Sequence, residues 1–332
     1  MEPQVVRDIV EQAGRAPSIH NTQPWRFVAR EDTIELWTDP SRNLNVLDPT
    51  GRARHLSCGA ALLHARVAAA GAGFACTVTV LPAPDQPEHL ADLRLAEAEP
   101  APEDLELVGA IATRHTTRAP FADKPLPPEV VTALRHAAEL EGCWLRVVDD
   151  RDDAIAVAVL LARADELESA DPAYKEELRR WTGAADSAKE GVPDSAVPAA
   201  PPSSRASNFR LRDFLADREE ASNASSADEP PRVERPLVAV LGTSDDDVES
   251  WLMAGQAVGR LLLAAASRGV TASPMTQPLE IPETRQRLVT ELGVVGHAQM
   301  ILRLGYAAEP APMTTPRRPV ADILTEQPGQ DQ

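Results

Sequence analysis

One helical pattern of small residues occurs twice in this chain, and the second copy matches the first position by position. The first copy begins at Leu56 and continues through Gly59 to Gly73, and the second begins at Leu252, an offset of 196 residues. The remaining matched positions are Ala61, Ala68, Ala69 and Ala70 in the first copy and Gly255, Ala257, Ala264, Ala265, Ala266 and Gly269 in the second. This self-similarity predicts a duplicated fold, and two unrelated small-residue helices are the alternative.

Length and charge limit the classes of protein to which the chain can belong. Its 332 residues, 43% of them hydrophobic, can bury one large core or two ordinary ones, and two similar halves fit that length. A formal net charge of -18 repels phosphate backbones and anionic membrane surfaces. We therefore predict neither nucleic acid nor membrane as a partner and expect a small-molecule substrate.

The cysteines and the first residues favour a cytoplasmic protein. Cys58, Cys76 and Cys143 lack the paired spacing of a zinc site or of a disulfide framework. The first residues show no basic region followed by an apolar stretch, and His64 and Arg66 interrupt the longest apolar run. The histidines show no metal spacing either, so no metal is predicted.

Helical periods alternate with a few strand patterns, which predicts an α+β fold. In the first half these are a helix over 4–14, strands over 25–28 and 33–37, the helix containing Gly59, and a strand over 74–81. The second half has helices near 102, over 128–140, 153–181 and 246–268 and at Pro282, with strands over 144–148, 237–241 and 299–306. Residues 182–236, rich in Pro, Ser and Ala, are predicted to be an insertion, lid or linker.

The most specific segment runs from Arg15 to Phe27 and reads Arg-Ala-Pro-Ser-Ile-His-Asn-Thr-Gln-Pro-Trp-Arg-Phe. Ser18 and Asn21 taken alone are ordinary turn formers. As a whole, the string resembles a loop of the nitroreductase family of FMN-dependent oxidoreductases, and the chain is similar to that family in both halves. The resemblance implies a nitroreductase-like fold in which Pro17, Ser18 and Asn21 contact the flavin ring.

Two basic segments resemble the parts of that family that bind the FMN phosphate. Arg114-His115-Thr116-Thr117-Arg118 resembles its phosphate segment, with Thr in place of Ser. Two guanidinium groups flanking a hydroxyl suit a phosphate dianion, whereas an exposed charged loop is the alternative for the segment by itself. Arg317 corresponds to the C-terminal arginine of the family, and a solvated basic terminus is its alternative.

A third segment, Met275-Thr276-Gln277, occupies the place where the resemblance puts a strand end that passes the flavin ring. His20 is a further candidate for the cavity. His55 and His64 are better explained as packed histidines, and Arg52 and Arg54 are as well explained by a solvated loop.

The duplication and the motifs together predict a fused dimer. Val5 and Trp25 align with Val130 and Trp144, but the second interval is six residues shorter and lacks the flavin loop. Only the second copy is preceded by an Arg-x-Thr-x-Arg segment. We expect residues 1–100 to carry the ring loop, residues 101–332 to carry the phosphate clamp with its insertion at 182–236, and one FMN to bind per chain.

Two functions follow from the resemblance. The first is an FMN-dependent oxidoreductase that passes a hydride from NAD(P)H or an organic substrate through flavin N5 to a nitroaromatic, quinone or enone, with no catalytic side chain. The second is a lidded FMN-storage protein, because the fused branch called the Acg family carries an inserted lid. A structural module without flavin is a third reading. Fusion allows a monomer, and the pairing habit of the family leaves a homodimer open.

Overall fold

Two β-sheets, one in each half of the chain, form the framework of the molecule. The computed structural model describes residues 1–182, 189–196, 234–308 and 315–326. The strands are β1 (Trp25–Arg30), β2 (Thr33–Thr38), β3 (Ala75–Val80), β4 (His89–Ala96), β5 (Trp144–Val148), β6 (Leu237–Thr243), β7 (Thr271–Pro274), β8 (His297–Gly305) and β9 (Leu324–Glu326). The helices are α1 (Pro3–Ala13), α2 (Arg52–Gly71), α3 (Pro102–Leu105), α4 (Ala110–Thr113), α5 (Pro128–Glu139), α6 (Arg151–Ala170), α7 (Pro172–Trp181), α8 (Val248–Ala266), α9 (Gln277–Glu280), α10 (Pro282–Glu291) and α11 (Val320–Ile323).

The two sheets have the same strand order apart from one added edge strand. Sheet A runs β3-β4-β2-β1-β9 and sheet B runs β7-β8-β6-β5. Each sheet is preceded by a helix, α1 or α5, and a long helix, α2 or α8, connects its second strand to its third. Each also shifts register where its second strand pairs with its fourth, at Leu36/Trp37 and at Leu241/Gly242. This shared topology is what a duplicated fold requires.

The repeated helices α2 and α8 lie in the centre of the molecule. Almost every residue of both helices is buried, and together they contribute much of the largest hydrophobic cluster, which spans both halves. Small side chains let the two backbones come close, and Gly59 and Gly255 lie against each other at the crossing. The sequence pattern that indicated a duplication therefore marks the contact between the halves.

The outer helices are amphipathic and begin as their sequences predict. Proline occupies the first turn of α1 and of α5, where a missing N–H costs no hydrogen bond. The buried face of α1 has the spacing of one helical stripe and consists of Val6, Ile9, Val10 and Ala13. None of the helices in the described ranges is long and apolar enough to span a bilayer.

The structure differs from the sequence prediction in one helix and one strand, and most of the predicted insertion lies outside the described residues. The predicted helix over 153–181 is two helices, because Asp171 caps α7 by accepting from Ala173 N at 2.8 Å and Pro172 cannot continue α6. β4 was not predicted, although its burial alternates along part of its length. Of the predicted insertion 182–236, residues 183–188 and 197–233 lie outside the described residues.

The end of the chain crosses from the second half to the first. β9 pairs in parallel with β1, with Phe27 opposite Leu324, and so extends sheet A by one strand. Arg7 of α1 forms an ion pair with Glu326 at 2.7 Å. This crossing carries the basic tail past the loop that follows α1.

Candidate cofactor site

A cavity of about 570 Å³ opens where the first-half loop, the segment after α4 and the C-terminal tail meet. Its volume is in the range of small-molecule and cofactor sites. Its lining comes from both halves: Glu11, Arg15, Pro17, Ser18, Asn21, Ile111, Ala112, Arg114, His115, Thr116, Arg118, Ala196, Thr315, Arg317, Arg318, Pro319 and Val320. Eight of the eleven residues predicted from the sequence line it: Pro17, Ser18, Asn21, Arg114, His115, Thr116, Arg118 and Arg317.

Positive charge dominates the lining of this cavity. Of the described residues that line it, five are arginines and one, Glu11, carries a carboxylate. Burial lowers the pKa of Arg114 and of Arg118 to about 10. Burial, and then the neighbouring charge of Arg114, lowers the pKa of Arg317 to about 9. An anionic ligand would relieve both the lost solvation and the mutual repulsion of these cations.

Several buried nitrogen atoms in the cavity wall have no hydrogen-bond partner among the described residues. The Nε atoms of Arg114 and Arg317 are donors without an acceptor, and Nε2 of His115, whose Nδ1 faces the carbonyl of Thr113, also makes no hydrogen bond. Buried polar groups are nearly always hydrogen-bonded, so an unpartnered guanidinium nitrogen in a cavity indicates where a ligand acceptor fits. A phosphate group, with several acceptor oxygens and a dianionic charge, matches these donors.

The first-half loop holds its polar groups with an unusual backbone. His20, Asn21 and Gln23 all adopt positive φ, at 44°, 55° and 49°. Ser18 stabilises this bend because its Oγ accepts a hydrogen bond from Gln23 N at 3.0 Å. Left-handed conformations at non-glycine residues cost free energy and concentrate at functional sites.

Asn21 is the point at which three segments of the chain meet. Its Nδ2 donates to the carbonyl oxygens of Gly191 at 2.9 Å and Pro316 at 3.0 Å. Its Oδ1 accepts from Arg317 Nη1 at 3.0 Å. The loop of the first half, the described part of the insertion and the tail of the second half are therefore tied together beside the cavity.

The segment after α4 is anchored on sheet B and reaches back to the first half. Thr117 N donates to Ala272 O at 2.9 Å, which fixes the segment beside β7. Arg114 Nη2 donates to the carbonyl of Arg15 at 3.3 Å, and Arg317 Nη2 reaches the same oxygen at 3.4 Å. Two arginines of the second half thus share a backbone acceptor in the first half.

Comparison with known proteins identifies the family of the chain. The sequence model described as "Nitroreductase family" matches residues 111–306. The chain is 35% identical over 329 residues to the Mycobacterium tuberculosis protein named "Putative NAD(P)H nitroreductase Rv3131", covering 97% of this chain and 92% of that protein. It is 34% identical over 326 residues to "Putative NAD(P)H nitroreductase acg" of the same organism, covering 96% and 95%.

The chain belongs to the nitroreductase family. Among solved structures, it is similar to an FMN and NADPH-dependent nitroreductase, NfnB, from a Sphingopyxis strain, at 18% identity and a TM-score of 0.41, covering 67% of this chain and 99% of that one. A nitroreductase with bound FMN from Desulfitobacterium hafniense gives 16% identity and a TM-score of 0.41, covering 66% and 97%. The α+β class expected from the sequence is confirmed by family membership.

Three of the residues expected at a nitroreductase flavin site lie elsewhere. Met275, Thr276 and Gln277 do not line the cavity. Met275 N donates to Ile301 O, and its side chain packs in a separate cluster on sheet B that includes Leu279. Gln277 begins α9 and is buried. Pairing with β8 therefore directs this segment into the second core.

Other residues of the lining were not predicted. Glu11 lines the cavity from α1, and Arg15 lines it from just beyond the end of that helix. Ala196 lines it from the insertion. The position of Arg15, two residues before Pro17, was a usable signal. The sequence contains no signal for Ala196, because the path of the insertion depends on tertiary contacts.

Two histidines that the sequence analysis considered, His20 and His64, are both buried. His20 is buried in the loop and does not line the cavity. His64 is fully buried in α2, and burial, followed by the charge of Arg114, lowers its pKa to about 3. His64 is therefore a packed, neutral histidine close to the cavity arginines.

Residues 189–191 are attached to neighbouring segments by two ion pairs. Glu190 accepts from Arg42 at 2.5 Å, and Lys189 pairs with Asp322 at 2.9 Å. Gln23 Nε2 also donates to the carbonyl of Lys189 at 2.9 Å. This strap, residues 189–196, brings Ala196 to the cavity wall.

Outside the cavity, one group of described residues brings three potential metal-ligand atoms within 4.8 Å of one another, from Glu35, His89 and Asp92. Both carboxylate oxygens of Glu35 are already engaged, by Arg30 and by Trp37 Nε1. His89 Nε2 lies 2.7 Å from Asp92. These contacts describe a hydrogen-bonded network on the outer face of sheet A.

Proposed function

We propose that this chain is an FMN-binding oxidoreductase of nitroreductase type. In it a hydride passes from NAD(P)H or an organic donor through flavin N5 to a small acceptor such as a nitroaromatic, a quinone or an enone. The observation that carries the proposal is the single cavity that joins Arg114, Arg118 and Arg317 to the Ser18–Asn21 loop. The names of the curated relatives support NAD(P)H as the donor.

The residues present fit FMN. Arg114, Arg118 and Arg317 would hold the phosphate, because their guanidinium groups supply charge and fixed donors, and two of their Nε atoms are unpartnered. Thr116 and His115 add polar groups to the same wall. Ser18 and Asn21, with Pro17, would contact the ring from the opposite half.

When bound, the flavin would supply the hydride chemistry, since it is the flavin and not a side chain that carries redox reactivity of this kind. The protein would bind the flavin, orient its ring and shield it from water. Donors in the loop around Asn21 would stabilise negative charge on the pyrimidine edge of the ring, and Pro17 would exclude water from one side. No side chain is assigned as a general acid or base.

One FMN per chain is part of the proposal. The ring loop and the Arg-x-Thr-x-Arg segment each occur once in the sequence, and both contribute to the same cavity. We infer that residues 1–100 and 101–332 are the two copies of a fused dimer, and the four-strand order that the two sheets share supports this. Such a chain can act as a monomer, and a homodimer is the alternative.

A storage function is the second candidate, and a specific observation favours it. The strap contacts Asn21 through Gly191 and lines the cavity through Ala196, where a closed lid would lie. A lid that keeps hydride donors away from the flavin would let the protein retain FMN with little turnover.

The deciding experiment is an absorbance spectrum of the purified chain, quantification of released flavin, and anaerobic addition of NADPH or NADH. FMN near one per chain that bleaches quickly supports the oxidoreductase. Bound FMN that stays oxidised supports storage. Colourless protein that does not bind added FMN would refute both.

A further inference from the structure

A second polar cluster, formed by Arg66, Asp104, Glu141 and Arg260, is buried between the two halves. Arg260 Nε donates to Glu141 Oε1 at 2.6 Å, and Arg66 Nη1 donates to Glu141 Oε2 at 2.8 Å. Arg260 also bonds Asp104, and Arg66 lies 3.6 Å from the same carboxylate. The side chain of Arg260 is only 4% exposed. None of the four residues lines the cavity.

The repeated helices relate this cluster to the cavity. Arg260 follows Gly255 by five residues in α8, and His64 follows Gly59 by five residues in α2. The two glycines lie against each other where the helices cross. Arg260 is therefore the counterpart of His64, the buried histidine whose neighbours include the cavity residue Arg114.

One further position corresponds. Arg15 is the first residue after the C-cap of α1, and Glu141 is the first after the C-cap of α5, the helix that precedes sheet B. At this position an arginine of the cavity is replaced by a carboxylate.

This exchange changes what each place can bind. The cavity carries five arginines against one glutamate and suits an anion. In the cluster two arginines face two carboxylates, so the charges cancel and every cation already has an acceptor. A phosphate brought there would meet carboxylates and would have to displace them.

We propose that this ion-pair cluster occupies the place that a second cofactor would take in a symmetric pair, and that it holds the two halves together without any ligand. The cluster joins α2, α3, the end of α5 and α8, and therefore connects both copies. Removing one partner of a buried pair leaves an uncompensated charge, which is strongly destabilising. The comparison with a second cofactor site rests on the proposed function, whereas the role of the cluster in holding the two halves together does not.

The test compares Arg260→Met in the cluster with Arg114→Met in the cavity, using the full chain and FMN as the titrant. For Arg260→Met we expect a lowered Tm, by the same amount with and without saturating FMN, and an FMN Kd within about twofold of the parent chain. For Arg114→Met we expect an FMN Kd weakened by about tenfold or more, with no loss of Tm in the ligand-free protein.

An unchanged Tm in Arg260→Met would overturn the proposal, as would FMN affinity lost to the same extent as in Arg114→Met, or two FMN per chain. The Tm comparison without ligand holds even if the chain binds no FMN, which separates this proposal from the proposed function. If Arg260→Met does not fold, amide hydrogen exchange of the parent chain, measured with and without FMN, tests the proposal instead. Residues 101–107 and 139–143 should be protected equally with and without FMN, and FMN-dependent protection there would contradict the proposal.

Discussion

Gly59 and Gly255 meet reciprocally, each facing the carbonyl oxygen of the residue three positions before the other. A Cβ on Gly59 would lie 2.2 Å from Leu252 O, and a Cβ on Gly255 would lie 2.1 Å from Leu56 O. Both distances are far inside van der Waals contact, and both atoms belong to helix backbones that cannot move independently. The repeated glycine is therefore required by the closeness of α2 and α8.

We expect Gly255→Ala to destabilise the fold by about 1–3 kcal/mol or more, because the added methyl group forces the central helices apart. Urea unfolding measures the change. Gly109→Ala is the matched control, since a Cβ there meets nothing within 4 Å and its φ is -64°. Equal stability of the two variants would mean that the helices can separate at little cost.

We expect Arg317→Gln to weaken FMN binding by about 1.5–3 kcal/mol, the usual contribution of a hydrogen bond to a charged group. Fluorescence titration of free FMN measures the dissociation constant. Arg163→Gln, on the exposed surface of α6, should leave it unchanged. An unaltered dissociation constant in Arg317→Gln would refute the assignment of Arg317 to the phosphate.

Inorganic phosphate should raise the Tm of the ligand-free chain, because an anion in the cavity relieves the burial of several guanidinium groups. Scanning fluorimetry over a phosphate series at constant ionic strength measures this effect. Arg114→Met should show a smaller rise than the parent chain. The assignment of the cavity to a phosphate group would fail if chloride raised the Tm as much as phosphate does.

The buried His64 should make the ligand-free protein sensitive to acid. Its folded pKa, about 3, lies below the ordinary value of 6.5, so the unfolded chain binds the proton more tightly. The stability contribution is complete above pH 6.5 and decreases as the pH falls towards 3. Between about pH 7.5 and about pH 5 the loss from this residue is about 2 kcal/mol.

Urea unfolding of the parent chain and of His64→Gln at both pH values checks this. Over the same pH interval, the free energy of unfolding of the variant should fall by about 2 kcal/mol less than that of the parent, whatever its value at neutral pH. An identical loss in both proteins would show that other groups, such as His55, account for the acid sensitivity.

The strap should control access to the bound flavin through its ion pairs. Lys189→Gln combined with Glu190→Gln removes the pairs with Asp322 and Arg42, and we expect faster anaerobic reduction by NADPH or faster FMN exchange. Stopped-flow absorbance measures both rates. Glu176→Gln, which removes exposed pairs on α7, is the control and should change neither rate. Unchanged rates in the double variant would leave the strap without a gating role.

Local patterns were sufficient for most elements. Proline at the helix starts, glycine beyond the helix ends, and the alternation of strands are properties of short segments, so α1, α2, α5 and α8 were predicted to within a few residues. The loop at Ser18 and Asn21 and the arginines of the 114–118 segment were predicted instead by their resemblance to segments of the nitroreductase family, because by themselves they are equally typical of a turn and of an exposed charged loop.

Contacts between distant segments had to come from the folded chain. Met275 lies in the second core because β7 pairs with β8, and nothing near Met275 in the sequence specifies that pairing. The attachment of Gly191 to Asn21 and the cluster around Arg260 join residues separated by more than a hundred positions. Burial and electrostatic pairing across such separations arise from packing. The sequence therefore indicated which residues could bind an anion, and the packed fold determined which of them line one cavity.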